Sequence, residues 1–153
     1  MTTPPRTQSI QRLLELSQHQ LDKISQTLRT AHQNQQSAQQ QLQQLEHYHL
    51  EYAQRLSLES RAGLSTTNYR NFLRFINTLE TAISEQNNRV ALLSAQRSEI
   101  QQQWQTLRQR CKAYETLIER EQQAKQQAAN RHEQRHNDEM ANQLAQRAQA
   151  PLS

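Results

Sequence analysis

Hydrophobic positions in this chain recur in alternating steps of three and four. From Ile10 the steps lead through Leu14, Ser17, Leu21, Ile24, Leu28, Ala31, Gln35, Ala38, Leu42, Leu45, His49 and Tyr52 to Leu56. Eleven of these fourteen positions are apolar, where a hydrophobic content of 33% would place roughly five. A second series runs through Tyr69, Phe72, Ile76, Leu79, Ile83, Gln86, Val90, Leu93, Arg97, Ile100, Trp104, Leu107, Cys111, Tyr114 and Ile118, with thirteen of fifteen apolar. A 3.5-residue period sustained over so many heptads predicts coiled-coil helix. The same steps continued to Glu121, Lys125, Ala128, His132, Arg135 and Glu139 meet almost nothing apolar, so the seam is expected to stop at Ile118.

The two seams are nearly equal in length, and the midpoint of Ile10 and Ile118 is residue 64, beside the single glycine, Gly63. A chain folded back there gives every seam residue a partner in the same molecule, with position numbers summing to about 128. Each arm would be on the order of 70 Å long at about 1.5 Å per residue. Gly63 suits the left-handed conformation that ends a helix, Leu64 is placed to pack back on Leu58, and Ser65, Thr66, Thr67 and Asn68 all suit a following N-cap. The expected fold is all-α, a long antiparallel two-helix coiled-coil hairpin with a C-terminal helical overhang. It forms one domain over 1–153, with helix 1 about 6–60, the turn about 61–67 and helix 2 about 68–145. A parallel homodimer, the rival, would leave the turn and the matched seams without a purpose.

Composition agrees. Of 153 residues 29 are Gln, and the three prolines (Pro4, Pro5, Pro151) lie at the ends, so the turns of a compact α/β or all-β fold have nothing to build them. Mean hydropathy is −1.08 and no run of 18 apolar residues exists, so no membrane-spanning segment is expected. No secretory signal is expected either. One cysteine, Cys111, cannot make an intrachain disulfide and is expected to serve as a small hydrophobe in the seam, in a cytoplasmic protein. The net charge of +4 comes from well-mixed acids and bases, without the dense basic or aromatic–basic rows of a nucleic-acid binder.

Function is bounded by the same reading. A two-helix hairpin buries one stripe per helix and walls no pocket, so neither catalytic nor cofactor nor metal residues are expected. His132-Glu133-Gln134-Arg135-His136 matches the H-E-x-x-H zinc-protease pattern, but a catalytic zinc needs a third protein ligand, and nothing downstream supplies one. The polar seam members Ser17, Gln35, His49, Gln86 and Arg97 are expected to set register. Tyr48, Leu50, Leu73, Phe75 and Ala82 lie off the seam in the third of the hairpin nearest the turn; they either widen the seam or form an exposed apolar patch for a protein partner. The overhang from 119 to 150 has a Glu121/Lys125 pair but no seam; alone it is expected to fray or be disordered, and to become ordered inside a partner. Two binding ends joined by a stiff coiled coil describe a connector.

The chain also resembles a known family, the flagellar type III export protein FliJ. The resemblance is carried by Leu45-Glu-His-Tyr48-His-Leu-Glu-Tyr52 and by Asn68-Tyr69-Arg-Asn-Phe72-Leu-Arg-Phe75-Ile76-Asn-Thr-Leu79-Glu80-Thr-Ala82-Ile83. Trp104 through Arg120 and Asn130-Arg131 with Gln134, Asp138, Glu139 and Ala141 extend it, to cover about 42–143. The high Gln content and H-E-x-x-H depart from the family pattern without touching these positions. The resemblance implies a non-enzymatic stalk, similar to the shaft of rotary ATPases, whose terminal end enters the hexameric export ATPase and promotes its assembly and activity. It implies a binding surface for the cytoplasmic domain of the membrane export gate at Gln41, Leu45, Tyr48, Tyr52, Phe75, Leu79, Ala82 and Gln86. It implies ATPase or chaperone contacts at Arg120, Asn130, Arg131, Gln134, Asp138 and Glu139, and a part in recycling export chaperones. The implied place is the cytoplasmic face of the inner membrane at the flagellar base, with no membrane insertion, no nucleic acid and no cofactor. Two alternatives remain: the equivalent stalk of a virulence secretion system, separable by a motility phenotype, and a coiled-coil scaffold or adaptor that leaves ATP hydrolysis unchanged.

Overall fold

A computed structural model describes residues 5–150; Pro4 and Pro151, and the extremes of the expected 1–153 domain, lie outside the described residues. Two α-helices, α1 (Pro5–Ala62) and α2 (Thr66–Gln149), make up the fold. Pro5 opens α1, where its missing N–H costs nothing and its fixed φ suits the helix. No other proline and no glycine interrupts either helix, so the hydrogen-bonded ladder has no built-in reason to break. The turn contracts to Gly63–Ser65, shorter than the 61–67 expected.

Its geometry explains the contraction. Gly63 has a φ of 96°, a region where a side chain would collide with the backbone. Its N–H reaches the Ser60 carbonyl at 3.4 Å. Ser65 then caps α2: its Oγ accepts the Asn68 N–H at 3.3 Å and its carbonyl accepts the Tyr69 N–H at 2.9 Å. Leu64 is half-buried, but Leu58 remains 66% exposed, so the expected packing of one on the other contributes little. Gly63→Ala is expected to lower stability by about 1–2 kcal/mol through backbone strain alone, because nothing lies within 4 Å of the added Cβ. A urea titration of both proteins checks this, and an unchanged midpoint would contradict the assigned backbone angle.

The chain divides into two compact units: Gln20–Thr106, and the described residues up to His19 together with those from Leu107 onward. Within Gln20–Thr106 the helices run antiparallel. Tyr52 meets Phe75, His49 meets Glu80, Gln41 meets Gln86, Gln35 meets Arg97 and Ser25 meets Trp104. As one number rises the other falls, as folding about residue 64 requires. In the second unit Thr7 donates to Glu121, which also pairs with Arg6 at 3.3 Å.

Every seam position of the sequence reading is buried or half-buried except Tyr69, which is 41% exposed. Ile76 and Leu79 (8% each), Ala38 (3%) and Cys111 (5%) are the buried apolar core, and no large side chain is fully enclosed. That follows from two helices alone: each covers only the facing stripe of the other, so most seam residues keep a solvated rim. The seam does not end at Ile118. One polar rung follows, Thr7 (3% exposed) against half-buried Glu121, before continuous exposure from 122 to 150. The carboxylate expected to pair along the helix with Lys125 is instead engaged by Arg6 and Thr7 across the hairpin.

The overhang is helical to Gln149, as the expected helical overhang to about 145 requires, because it continues an established helix and needs no new nucleus. Its Ala, Gln, Glu and Arg content favours propagation.

Candidate functional site

Polar seam residues tie the helices before any partner is considered. Arg97 Nη1 donates to Gln35 Oε1 at 2.9 Å, and Gln86 Nε2 donates to the Ala38 carbonyl at 2.9 Å and to Gln41 Oε1 at 3.2 Å. Trp104 Nε1 donates to Ser25 Oγ at 2.9 Å, while that hydroxyl donates to the Leu21 carbonyl at 2.8 Å. A slip of the two helices would leave these groups buried and unpaired. Among the described residues no buried side-chain nitrogen or oxygen lacks a partner. Ser25 lies off the seam and was missed from sequence, although it stands opposite Trp104 by the numbering rule. The Arg6–Thr7–Glu121 rung was missed too, since nothing apolar announces it.

The candidate rows share Leu45, Tyr52, Leu79 and Gln86 with the seam, while Gln41, Tyr48, Phe75 and Ala82 lie beside it. On α1, Gln41, Leu45, Tyr48 and Tyr52 follow steps of three and four and therefore share one flank. On α2, Phe75, Leu79, Ala82 and Gln86 do the same. Two contacts show that both rows open on the same side of the pair. Gln86 bonds Gln41 at one end, and the Tyr52 and Phe75 rings lie 4.6 Å apart at 60° at the other. The Arg55 guanidinium lies 5.7 Å from the Tyr52 ring centre and extends the row toward the turn.

Exposure sorts the eight residues into two roles. Tyr48 (49%) and Phe75 (44%) are large, apolar and exposed, and Gln41 is exposed between them and the next turns. Leu45, Tyr52, Ala82 and Gln86 are half-buried, forming a floor. Leu79 is buried against α1 and supports the face from beneath rather than presenting itself. The off-seam set grouped from sequence divides accordingly. At 100° per residue Leu50 and Leu73 fall on the opposite flank from Tyr48 and Phe75, so they belong to no common patch with them.

Arg120, Asn130, Arg131, Gln134, Asp138 and Glu139 are all exposed on the overhang. Residues 131, 134 and 138 share a face with 120, about three, four and five turns earlier, while Glu139 turns about 100° away. His132, Glu133 and His136 are likewise exposed on this helix, and among the described residues no three His, Cys, Asp or Glu side chains converge as a metal site. Concavities are open grooves: one of about 610 Å³ is lined by Lys23, Thr27, Ala31, Leu93 and Ile100 among others, with no titratable pair facing into it. Among the described residues no helix is long and apolar enough to cross a membrane.

A family model described as flagellar FliJ protein matches residues 7–150. The chain is similar to the flagellar FliJ protein of Escherichia coli (strain K12), with 30% identity over 135 residues, 88% of this chain and 92% of the relative. It is similar to the flagellar FliJ protein of Salmonella typhi at 28% identity over 139 residues, 91% and 95% of the two chains. No solved structure matches this chain.

Proposed function

The chain belongs to the flagellar FliJ protein family, and from that premise we propose that it is a non-enzymatic stalk of the flagellar type III export apparatus. In this reading the overhang engages the hexameric export ATPase, promoting its assembly and activity. The row from Gln41 to Tyr52 with Phe75 to Gln86 binds the cytoplasmic domain of the membrane export gate. Nucleotide hydrolysis stays with the ATPase, and this chain transmits its effect at the cytoplasmic face of the inner membrane. Escort of export chaperones would use the same exposed overhang face.

One observation supports this reading above the others: Tyr48 and Phe75 stay about half exposed on a common flank although the seam beside them is complete. Large aromatics kept in water without a packing need are characteristic interface anchors. The flagellar relatives favour this apparatus over the equivalent stalk of a virulence system, and a motility defect on deletion separates the two.

The overhang offers the direct test. Truncation after Glu121 retains the last cross-helix rung and removes only exposed helix. The truncated protein is expected to melt like the full chain and to lose stimulation of ATP hydrolysis and hexamer formation. Full stimulation by the truncated protein would overturn the ATPase assignment and point to a scaffold.

A further inference from the structure

The net charge is not spread along the chain. Residues 1–54 hold four basic and four acidic side chains, and residues 75–121 hold six of each, so both are neutral. Residues 55–74, which carry the turn, hold Arg55, Arg61, Arg70 and Arg74 against Glu59 alone, net +3 of the chain's +4. All four arginines are exposed. Arg55 lies against Tyr52, but no ion pair engages Arg61, Arg70 or Arg74 among the described residues.

Local helix physics argues against this placement. Arg61 in the last turn of α1 suits the negative end of that helix. Arg70 and Arg74 are a like-charge pair one turn apart on α2, which weakens the isolated helix slightly, and no ion pair among the described residues offsets it. Exposed Leu58 (66%), Tyr69 (41%) and Leu73 (37%) stand among them; Leu58 and Leu73 lie off the seam, and Tyr69 is its one exposed position.

We propose that the turn end of the hairpin docks on a surface of anionic lipid headgroups, with Arg61, Arg70 and Arg74 meeting phosphates and Leu58, Tyr69 and Leu73 resting at the interface. The guanidinium fork matches phosphate oxygens, and apolar side chains between arginines are the composition of interfacial segments. Arg70 and Arg74, four residues apart, share one exposed face of α2 with Leu73 beside them, and Arg61 lies on α1, so the free charge flanks the turn on both helices. Headgroup phosphates spread laterally over a surface match charge and apolar side chains distributed in this way. Binding is superficial, since among the described residues no helix is apolar enough to span a bilayer. The proposal rests on charge placement and exposure, independently of the export reading.

The test is cosedimentation of the purified full-length chain with vesicles of pure phosphatidylcholine or with about one third phosphatidylglycerol. Binding is expected only to the anionic vesicles, and to weaken as salt screens it. Each lost arginine should reduce partitioning roughly fivefold, so Arg61→Gln/Arg70→Gln/Arg74→Gln should abolish measurable binding while helicity is unchanged. Lys125→Gln/Arg135→Gln/Arg147→Gln removes equal charge from the overhang and should bind as the parent does. Equal binding of both triple variants, or of both vesicle types, overturns the proposal. So does an absence of vesicle binding accompanied by arginine-dependent capture of the export gate's cytoplasmic domain, which would make the turn end an acidic-protein reader.

Discussion

Leu79→Asp is expected to unfold the hairpin around it, with a loss of roughly 4 kcal/mol or more. Leu79 is 8% exposed and faces α1 near His49, whose imidazole reaches Glu80 at 3.1 Å. Removing the isobutyl group forfeits apolar burial and leaves a gap; the carboxylate then has to be desolvated beside an existing acid. A small domain has only about 5–15 kcal/mol in total, and here there is no third layer to redistribute the strain. Thermal melting by circular dichroism measures the loss. The substitution Gln44→Asp, at an exposed position of α1, should melt as the parent does. If Leu79→Asp also melts like the parent, Leu79 belongs to the surface row and the assigned core is wrong.

The second large effect is expected in binding, not in folding. Tyr48→Ala with Phe75→Ala should weaken affinity for the gate's cytoplasmic domain by roughly thirtyfold, the scale of truncating an interface anchor. Helicity should stay near the parent value, because both side chains are about half exposed. The local cost is chiefly the Tyr52–Phe75 ring contact, worth about 0.5–1.5 kcal/mol. Calorimetric titration and circular dichroism on the same samples separate the two effects. Unchanged affinity would remove this face from the interface, and a parallel loss of helicity would return both residues to the core. The two experiments make complementary demands on neighbouring positions: one residue of the row acts through the fold, and two act through the surface.

The location of the seam was legible residue by residue. Steps of three and four from Ile10 and from Tyr69 pass through buried or half-buried positions, with Tyr69 alone exposed. The error at the far end has a specific cause. Thr7 and Glu121 form a rung through a hydrogen bond, and apolar spacing is blind to a polar rung. The helical overhang was legible to within a few residues, about 145 against Gln149, because it extends a helix already nucleated. Of the candidate binding residues, the stripe on each helix could be read from spacing. Burial of Leu79 and the separation of Leu50 and Leu73 from Tyr48 and Phe75 required the paired helices.

By itself, the amino-acid sequence determined the all-helical character, the two seams and the fold-back at the lone glycine. Each of these follows from period along one chain and from the backbone freedom of one residue. Tertiary structure decided which flank of α1 opens on the same side as which flank of α2. It also decided which aromatic stays in water there, and which hydroxyls and carboxylates complete the ladder. A period places a side chain around its own helix axis only. How two axes are rotated against each other is set by contacts between residues far apart in the chain, here Gln41 with Gln86 and Tyr52 with Phe75.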